Sequence, residues 1–243
     1  MDAPVTPRAA LAAIDWLRDV PGATLDALAA QSVLHRMPAG SQLFEQAETP
    51  AFAQFLLAGC VELLGICDRN EILVELVRPA DLLLPAAVLS RQPYLLRARV
   101  LEEARLLMVQ AEAFRAAVAA DHALCLAVLA CQAAQFRRQV KRAKNVSLRS
   151  AEERVGCHLL GLATAGTPGT PARLKLEKRL IASQLGMTRE TFSRALATVA
   201  RHGLMLDGDT VTVTDPDAAH AQFRLDPLID GPETINPLPV RNT

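Results

Sequence analysis

Apolar residues recur at helical spacing in the most informative stretch of the chain, Leu174–Val213. A first short helical pattern ends at Gly186, because glycine suits the left-handed backbone that follows a helix. Thr188 then offers an N-cap hydroxyl to a second helix, Thr188–Arg201. The buried face of this helix is predicted at four positions: Phe192, Leu196, Val199 and Ala200. Two short alternating segments that turn at Asp207–Gly208 complete a helix-turn-helix with a winged hairpin.

The other face of the second helix carries polar side chains within its first two turns. A helix that buries one side and presents such groups near its N-terminus suits the major groove of DNA. Residues 136–205 hold 14 Lys and Arg against 4 Asp and Glu, whereas the whole chain holds 26 of each and residues 1–120 hold 10 against 14. This asymmetry favours a sensor joined to a polyanion-binding module. The alternative is an ordinary amphipathic helical hairpin with solvated charges.

The string LGMTRETFSRAL and the hairpin after it resemble the recognition element of the CRP/FNR regulators, the catabolite activator and fumarate–nitrate regulator type. Their recognition helix is close to R-E-T-x-x-R or E-x-x-S-R, and the resemblance spans roughly residues 20–215. It implies a cytoplasmic transcriptional regulator, not an enzyme, with duplex DNA, a second copy of the chain and RNA polymerase as partners. The expected DNA-binding residues are Thr188, Arg189, Glu190, Thr191, Ser193 and Arg194. Arg189 and Ser193 together leave the half-site open between TGTGA-like and TTGAT-like sequences.

The period shortens to that of strands from about Val33, in runs such as CVELLGI and EILVELV that are separated by turn residues. Such runs favour a small antiparallel barrel or jelly roll. The stretch from Asp121 to about Asn145 contains no Pro or Gly and predicts one long helix. The expected fold class is therefore α+β, with an antiparallel β-roll sensor, a long dimerisation helix and a winged helix-turn-helix domain. Their predicted bounds are 1–120, 121–147 and 148–216, followed by a Pro-rich tail at 217–243.

The long helix carries a stripe with a 3–4 spacing, which is typical of a seam between two helices. Its members are Leu126, Leu129, Ala133, Phe136, Val140 and Ala143. The alternative is that this stripe simply covers the β-roll. We expect a parallel homodimer along this helix.

The ligand region departs from that of the catabolite activator, whose relatives hold a cyclic phosphate with a Gly-Glu step and an Arg-Ser or Arg-Thr pair. The best register places Leu84–Pro85 and Leu95–Leu96 at those positions. Burying a phosphate there without a counter-charge would cost several kcal/mol, so cyclic AMP is not the expected ligand. A register shifted by two residues would bring in Arg97.

Residues 1–59 contain no cysteine, which excludes the N-terminal iron–sulfur centre of the fumarate–nitrate type. The remaining options are haem with a diatomic gas, another small apolar molecule, or no ligand. The candidate pocket residues are Leu82, Leu83, Leu84, Leu95 and Leu96. No haem ligand stands out, since His35 and His122 are interpreted as surface or satisfied core histidines.

The remaining chemistry is sparse. Five cysteines without a C-x-x-C pair indicate neither a disulfide framework nor a zinc site. A β-roll metal-dependent enzyme would need two His and a carboxylate on neighbouring strands, and the strand region offers only His35. No apolar run approaches the roughly 20 residues of a membrane span. A ligand-independent regulator, or a scaffold with a vestigial sensor, stays open as the alternative function.

Overall fold

The computed structural model describes residues 6–68, 70–165, 172–174 and 176–236. The chain divides into two compact units, Met1–Gln135 with Thr234–Thr243, and Phe136–Glu233. Residues 166–171 and the last residues of the predicted tail, 237–243, lie outside the described residues. The helices are α1 Pro7–Ala12, α2 Gly22–Ala30, α3 Pro85–Ser90, α4 Ala111–Ala120, α5 His122–Leu148, α6 Ala151–Ala165, α7 Lys178–Gln184, α8 Arg189–Ala200 and α9 Pro216–Gln222. The strands are β1 Ser32–Met37, β2 Gln42–Phe44, β3 Phe52–Cys67, β4 Asn70–Val77, β5 Asp81–Leu83, β6 Arg97–Gln110, β7 Ala172–Arg173, β8 Leu204–Asp207 and β9 Thr210–Val213.

The first unit is built on an antiparallel sheet with β3 and β6 at its centre. The strand order is β1-β6-β3-β4, with β2 paired to β6 and β5 paired to β3. The pairing of β3 with β6 shifts register three times between Leu56 and Val61. Gly59 lies there with φ +86°, and a Cβ at this position would stand 2.2 Å from the Glu103 carbonyl oxygen. These irregularities bend two long strands into a roll, which confirms the predicted jelly-roll class.

Two apolar clusters lie on the two sides of this sheet. On one side, the helices pack around Trp16 and Phe55, whose ring centroids are 6.0 Å apart, and Phe114 meets Phe55 edge-on. The Trp16 indole N–H donates to the Ala80 carbonyl at 2.8 Å. On the other side, inside the roll, the rings of Phe44 and Tyr94 stack at 3.8 Å. The interior of the roll is therefore packed with side chains.

The long helix α5 begins after Asp121, whose carboxylate accepts from the Leu124 N–H at 2.9 Å. It ends at Leu148, three residues beyond the predicted end. Its buried residues in the first unit form one face: Leu124, Ala127, Val128, Ala130, Cys131 and Ala134. The predicted seam lies on a different face, with Leu129, Phe136 and Val140 exposed by 53%, 70% and 42%. Ala133 and Ala143 are also exposed, and Leu126 is half-buried.

The second unit is a helical layer on a small sheet. Ser150 begins α6 with a capping box, because its hydroxyl accepts from the Glu153 N–H and the Glu153 carboxylate accepts from the Ser150 N–H. The strands are ordered β7-β9-β8. One apolar cluster joins α6, α7, α8 and the sheet, and Phe223 after α9 closes it. In the described ranges, no helix is by itself long and apolar enough to cross a membrane, and only the sharply bent pair α4–α5 passes that test of length and composition jointly.

The Phe223 ring packs against α6 at Gly156, which has no side chain. A Cβ on Gly156 would stand 2.2 Å from the Phe223 ring, whereas a Cβ on Gly161 would meet its nearest atom, on Leu225, at 3.9 Å. We therefore predict that Gly156→Ala destabilises the protein by about 1–3 kcal/mol through overpacking. Gly161→Ala, in the same helix, should stabilise it by about 0.5–1 kcal/mol because alanine favours helix.

The pair is compared by urea unfolding followed by far-ultraviolet circular dichroism. If Gly156→Ala proved as stable as Gly161→Ala, the close contact between Phe223 and α6 would be refuted.

Candidate nucleic-acid interface

The turn between α7 and α8 is fixed by backbone hydrogen bonds. The Met187 N–H donates to the Ala182 carbonyl and the Gly186 N–H donates to the Ser183 carbonyl, both at 3.0 Å. This is the Schellman pattern, which requires left-handed backbone at the residue after the cap. Gly186 supplies it with φ +67°. The turn predicted from glycine is confirmed, and it sets the direction in which α8 leaves.

Helix α8 separates its side chains into two faces. Phe192, Ala195 and Val199 are buried in the core of the second unit. The exposed face carries four polar residues within two turns: Arg189, Glu190, Ser193 and Arg194. This arrangement leaves hydrogen-bond donors and acceptors, some positively and some negatively charged, at the N-terminal end of the helix. The apolar core of the second unit holds the opposite face of that helix.

Thr188 organises the start of this helix. Its hydroxyl oxygen accepts from the Thr191 N–H at 3.2 Å, as the N-cap prediction requires. Arg194 donates from Nη2 to the Thr191 hydroxyl at 3.4 Å, so its guanidinium lies over the first turn. The backbone N–H of Glu190 and the Thr188 hydroxyl lower the pKa of the Glu190 carboxyl, which keeps it ionised and acceptor-only at neutral pH.

The wing is the hairpin of β8 and β9. Asp207 pairs with Thr210, so the two-residue turn is Gly208–Asp209, one residue later than predicted. Strand β7 pairs with β9, and Arg173 donates to the Asp209 carboxylate at 3.1 Å. The sequence pattern misplaced the turn because Asp207 and Gly208 are both ordinary turn residues, and only the pairing register distinguishes them.

The end of α5 touches the helix-turn-helix. Arg142 donates from Nη2 to the Ser183 carbonyl at 3.3 Å. A Cβ on Gly186 would stand 3.0 Å from a Val146 methyl group. The sequence analysis missed this contact. The signal that could have identified this contact is the left-handed Gly186, which leaves room for a packing residue.

The five predicted pocket leucines lie in different environments. Leu83, Leu84 and Leu96 belong to the cluster inside the roll, whereas Leu82 packs with the helices on the other side. Leu95 is 83% exposed. A shallow cavity of about 140 Å³ lies elsewhere, lined by Ala30, Gln31, Ser32, Val33, Phe52, Met108 and Gln110. The role of the five leucines in binding an effector stays a prediction.

Arg97, the residue that a shifted register would offer to a phosphate, is already paired. It donates from Nε to the Glu45 carboxylate at 2.8 Å and from Nη1 to Glu71 at 3.2 Å. The hydrogen bond with Glu45 raises the pKa of Arg97 and lowers that of Glu45. Arg99 continues the network to the buried Glu62. A phosphate at Arg97 would have to break two ion pairs.

Other groups that could carry chemistry are dispersed. His35 and His122 are both exposed, in agreement with their interpretation as surface residues. Burial raises the pKa of the Cys60 and Cys157 thiols to about 11, which makes both poor nucleophiles. Among the described residues, no three His, Cys, Asp or Glu side chains come together as a metal site.

The sequence analysis missed a buried polar contact between β5 and α5. Asp81 is 8% exposed, and its carboxylate accepts from the Gln135 amide at 2.9 Å and from the Cys131 thiol at 3.4 Å. Gln135 also donates to the Leu82 carbonyl at 2.7 Å. The strand that precedes the candidate effector segment is thereby bonded to the long helix. An Asp in an otherwise apolar strand end was the available signal.

Two family models match the chain in the same order as the two units. Residues 34–121 match the cyclic nucleotide-binding domain and residues 153–218 match the Crp-like helix-turn-helix domain. The chain belongs to the CRP/FNR family of transcription regulators. Among curated protein sequences, none is significantly similar to it.

Solved structures share the fold at low sequence identity. A protein from Eubacterium rectale described as a transcriptional regulator of the Crp/Fnr family is 17% identical, with a TM-score of 0.68 over 87% of this chain and 99% of that one. The c-di-GMP responsive global regulator CLP of Xanthomonas campestris is 16% identical, with a TM-score of 0.67 over 80% and 100%. FixK2 of Bradyrhizobium japonicum is 18% identical, with a TM-score of 0.64 over 80% and 98%. At these identities the likeness establishes the fold.

The N-cap of α8 gives a test of how this helix begins. We predict that Thr188→Ala lowers the free energy of unfolding by about 0.5–2 kcal/mol, because the Thr191 N–H loses its acceptor. Thr188→Ser retains the hydroxyl and should be neutral. Urea unfolding of the two variants and the parent measures this difference, and equal losses in both variants would contradict the capping role.

Proposed function

We propose that the protein is a homodimeric regulator that reads an inverted-repeat DNA operator with α8 of each protomer. The observation that carries this proposal is the polar face of α8, where Arg189, Glu190, Ser193 and Arg194 are exposed opposite a buried apolar face. Two such helices related by a twofold axis would enter successive major grooves about 34 Å apart. The local excess of basic residues around α8 supports binding to a polyanion.

Each exposed side chain of α8 matches a group on the bases. We propose that Arg189 and Arg194 donate bidentate hydrogen bonds to guanine O6 and N7, and that Glu190 accepts from cytosine N4. Ser193 can bond a base edge or a phosphate. Thr188 and Thr191 complete the proposed DNA-binding set by holding the first turn in place.

The exposed stripe on α5 supports the dimer. A helix that leaves Leu129, Phe136 and Val140 in water at a 3–4 spacing gains by pairing with a copy of itself. The face of α5 that covers the β-roll is a different one. The interpretation that the stripe only packs on the roll therefore lacks support.

We propose that the β-roll responds to a signal other than cyclic AMP, such as haem carrying a diatomic gas or another small apolar molecule. Arg97 is engaged by two carboxylates. Pro85 is buried and Leu95 is exposed, at positions where the cyclic-AMP-binding relatives hold a Glu and an Arg. We assign the domain no catalytic role, and we place the protein in the cytoplasm with RNA polymerase as partner, as the family resemblance implies.

Selection of bound duplexes from a random library tests the operator directly. We expect an inverted repeat whose half-site centres lie about 10–10.5 base pairs apart. Recovery of unrelated sequences, or of direct repeats, would overturn the proposed function.

Two arginines form a matched pair for testing base recognition. Arg194 and Arg201 each donate to a threonine three residues earlier, but Arg194 lies in the second turn of α8, whereas Arg201 follows its last residue. We predict that Arg194→Ala weakens binding to the selected operator by about 1–3 kcal/mol and relaxes specificity at one position. Arg201→Ala should weaken all sequences alike or not at all. Quantitative binding to operators substituted one position at a time measures both, and a base-specific defect in Arg201→Ala alone would reverse the assignment.

The dimer seam is tested by placing a charge within it. We predict that Phe136→Glu shifts the protein from dimer to monomer in sedimentation analysis, since two carboxylates would face each other in a desolvated interface. His122→Glu places the same charge at the exposed start of α5 and should leave the dimer intact. A dimer that survives Phe136→Glu would show that this stripe is not the interface.

A further inference from the structure

The segment after α9, residues 224–233, makes many polar contacts with the rest of the second unit. We call this segment the strap. Its backbone turns at Asp226, whose carbonyl accepts from the N–H groups of Ile229 and Asp230 at 2.8 and 2.7 Å. The Asp230 carboxylate accepts from the Asp226 N–H at 2.7 Å, which closes the turn from the other side. The composition of this stretch indicated only a Pro-rich tail.

The strap is ion-paired to the C-terminal half of α5 and to the residue after it. Arg149 makes a bidentate ion pair with Asp230, with both N–O distances at 2.7 Å. The side chains of Arg149 and Asp230 are only 10% and 21% exposed. Glu233 accepts from Arg137 at 2.5 Å and lies 2.6 Å from the Lys141 ammonium. Burial opposes ionisation of Asp230, yet the hydrogen bonds from Arg149 and from the Asp226 N–H leave its pKa lowered. Hydrogen bonds from Arg137 and Lys141 lower the pKa of Glu233.

The basic residues that meet the strap share one side of the helix. Arg137, Lys141 and Lys144 are spaced by four and three positions, so they form a single row. The groups that the strap places against this row of basic side chains are all hydrogen-bond acceptors. Besides its carboxylates, the carbonyl of Gly231 accepts from Lys141 at 3.1 Å and the carbonyl of Leu228 accepts from Lys144 at 3.4 Å. A row of oxygens along an extended chain is also what a nucleic-acid phosphate backbone presents to lysine and arginine.

Polar contacts, rather than apolar packing, hold the strap. Phe223 is the last described residue that joins the buried apolar core of the second unit. Beyond it, Leu225 and Leu228 are 37% and 64% exposed. A competing anion can replace a carboxylate as the acceptor for lysine and arginine, whereas it cannot replace an apolar contact. The strap is therefore the part of the second unit that a polyanion could displace most readily.

We propose that the strap is an intramolecular acidic competitor that occupies a phosphate-binding face on α5, so that duplex DNA engages this face only after displacing the strap. The inference rests on the proposed function, because it concerns how the same DNA reaches the protein. It assigns Arg137, Lys141 and Arg149 to contacts with the DNA backbone that are closed in the unbound state.

The first experiment removes the strap's charge and retains its length. The double variant Asp230→Asn/Glu233→Gln should bind random-sequence duplex DNA about tenfold more tightly at low salt. The slope of log affinity against log salt should steepen by about 0.9 for each basic group that gains a phosphate. Asp217→Asn/Glu152→Gln carries the same change of charge elsewhere in the second unit and is the control. Equal affinities and slopes in the two double variants would overturn the proposal.

The second experiment uses the unmodified protein, so that a folding defect in the variant cannot decide the outcome. Hydrogen exchange is followed at the backbone amides of the strap, residues 224–233, in the free protein, with random-sequence duplex DNA, and with heparin as a polyanion without bases. We expect exchange of the strap to accelerate with both polyanions while amides of α6 stay protected. A strap that stays equally protected with both would overturn the proposal.

The two measurements separate this inference from the proposed function. If heparin releases the strap but library selection yields no operator, the strap competes with polyanions and the assignment of a sequence-specific regulator fails. If an operator is selected and the strap neither moves nor affects affinity, the regulator stands and the strap is a structural brace.

Discussion

The structure depends on one uninterrupted helix that must satisfy different partners at its two ends. In the first unit, α5 buries Leu124 and Cys131 in the core and bonds Asp81 through Gln135. In the second unit, its last turns contact the helix-turn-helix through Arg142. No Gly or Pro occurs in the helix between these contacts. Each contact lies within its own unit, so each end of α5 is held by partners of the unit to which it belongs.

Electrostatics decides what the β-roll can bind. Arg97 and Arg99 are each shared between two carboxylates, and Glu62 is buried beneath them. A phosphate would replace carboxylates at these guanidinium groups, but the displaced Glu62 would then lie in a site with little water and no partner, which is costly. The interior meanwhile is closed by the stacked rings of Phe44 and Tyr94. In the proposed function, an effector inside the roll would therefore be accommodated by moving apolar side chains rather than by attraction to an unpaired charge.

The parts of the molecule that follow local rules could be predicted from the sequence. Gly186 and Thr188 are determined by backbone conformation, and the structure has them where the pattern placed them. The period of 3.6 residues placed Phe192 and Val199 correctly on the buried face of α8, but Leu196 is half-buried, Ala200 is exposed, and Ala195 takes the position on the buried face that was predicted for Ala200. The β-roll followed from its short runs and turn residues. The pairing of Arg149 with Asp230 could not be predicted, because the two residues are 81 positions apart and no local pattern ranks one acidic partner above another. The dispersal of the five leucines among two clusters and solvent escaped for a related reason, since an apolar run does not reveal which face of the sheet each residue meets.

The point at which the strap is anchored determines how readily a competing anion displaces its carboxylate from Arg149. Phe223 is fixed against Gly156 in α6, and Asp230 follows it by only seven positions. A short tether of this kind holds its carboxylate near Arg149 at an effective concentration on the order of millimolar. Phosphates of duplexes that collide at random must compete with that concentration, so scattered binding is suppressed. In the proposed function, α8 lying in the groove of a matching operator would tether the neighbouring phosphates too, and exchange with the strap would become a contest between two intramolecular partners. An acidic strap would thus lower non-specific affinity more than specific affinity, and the ratio of the two decides whether a regulator finds its operator among competing sites.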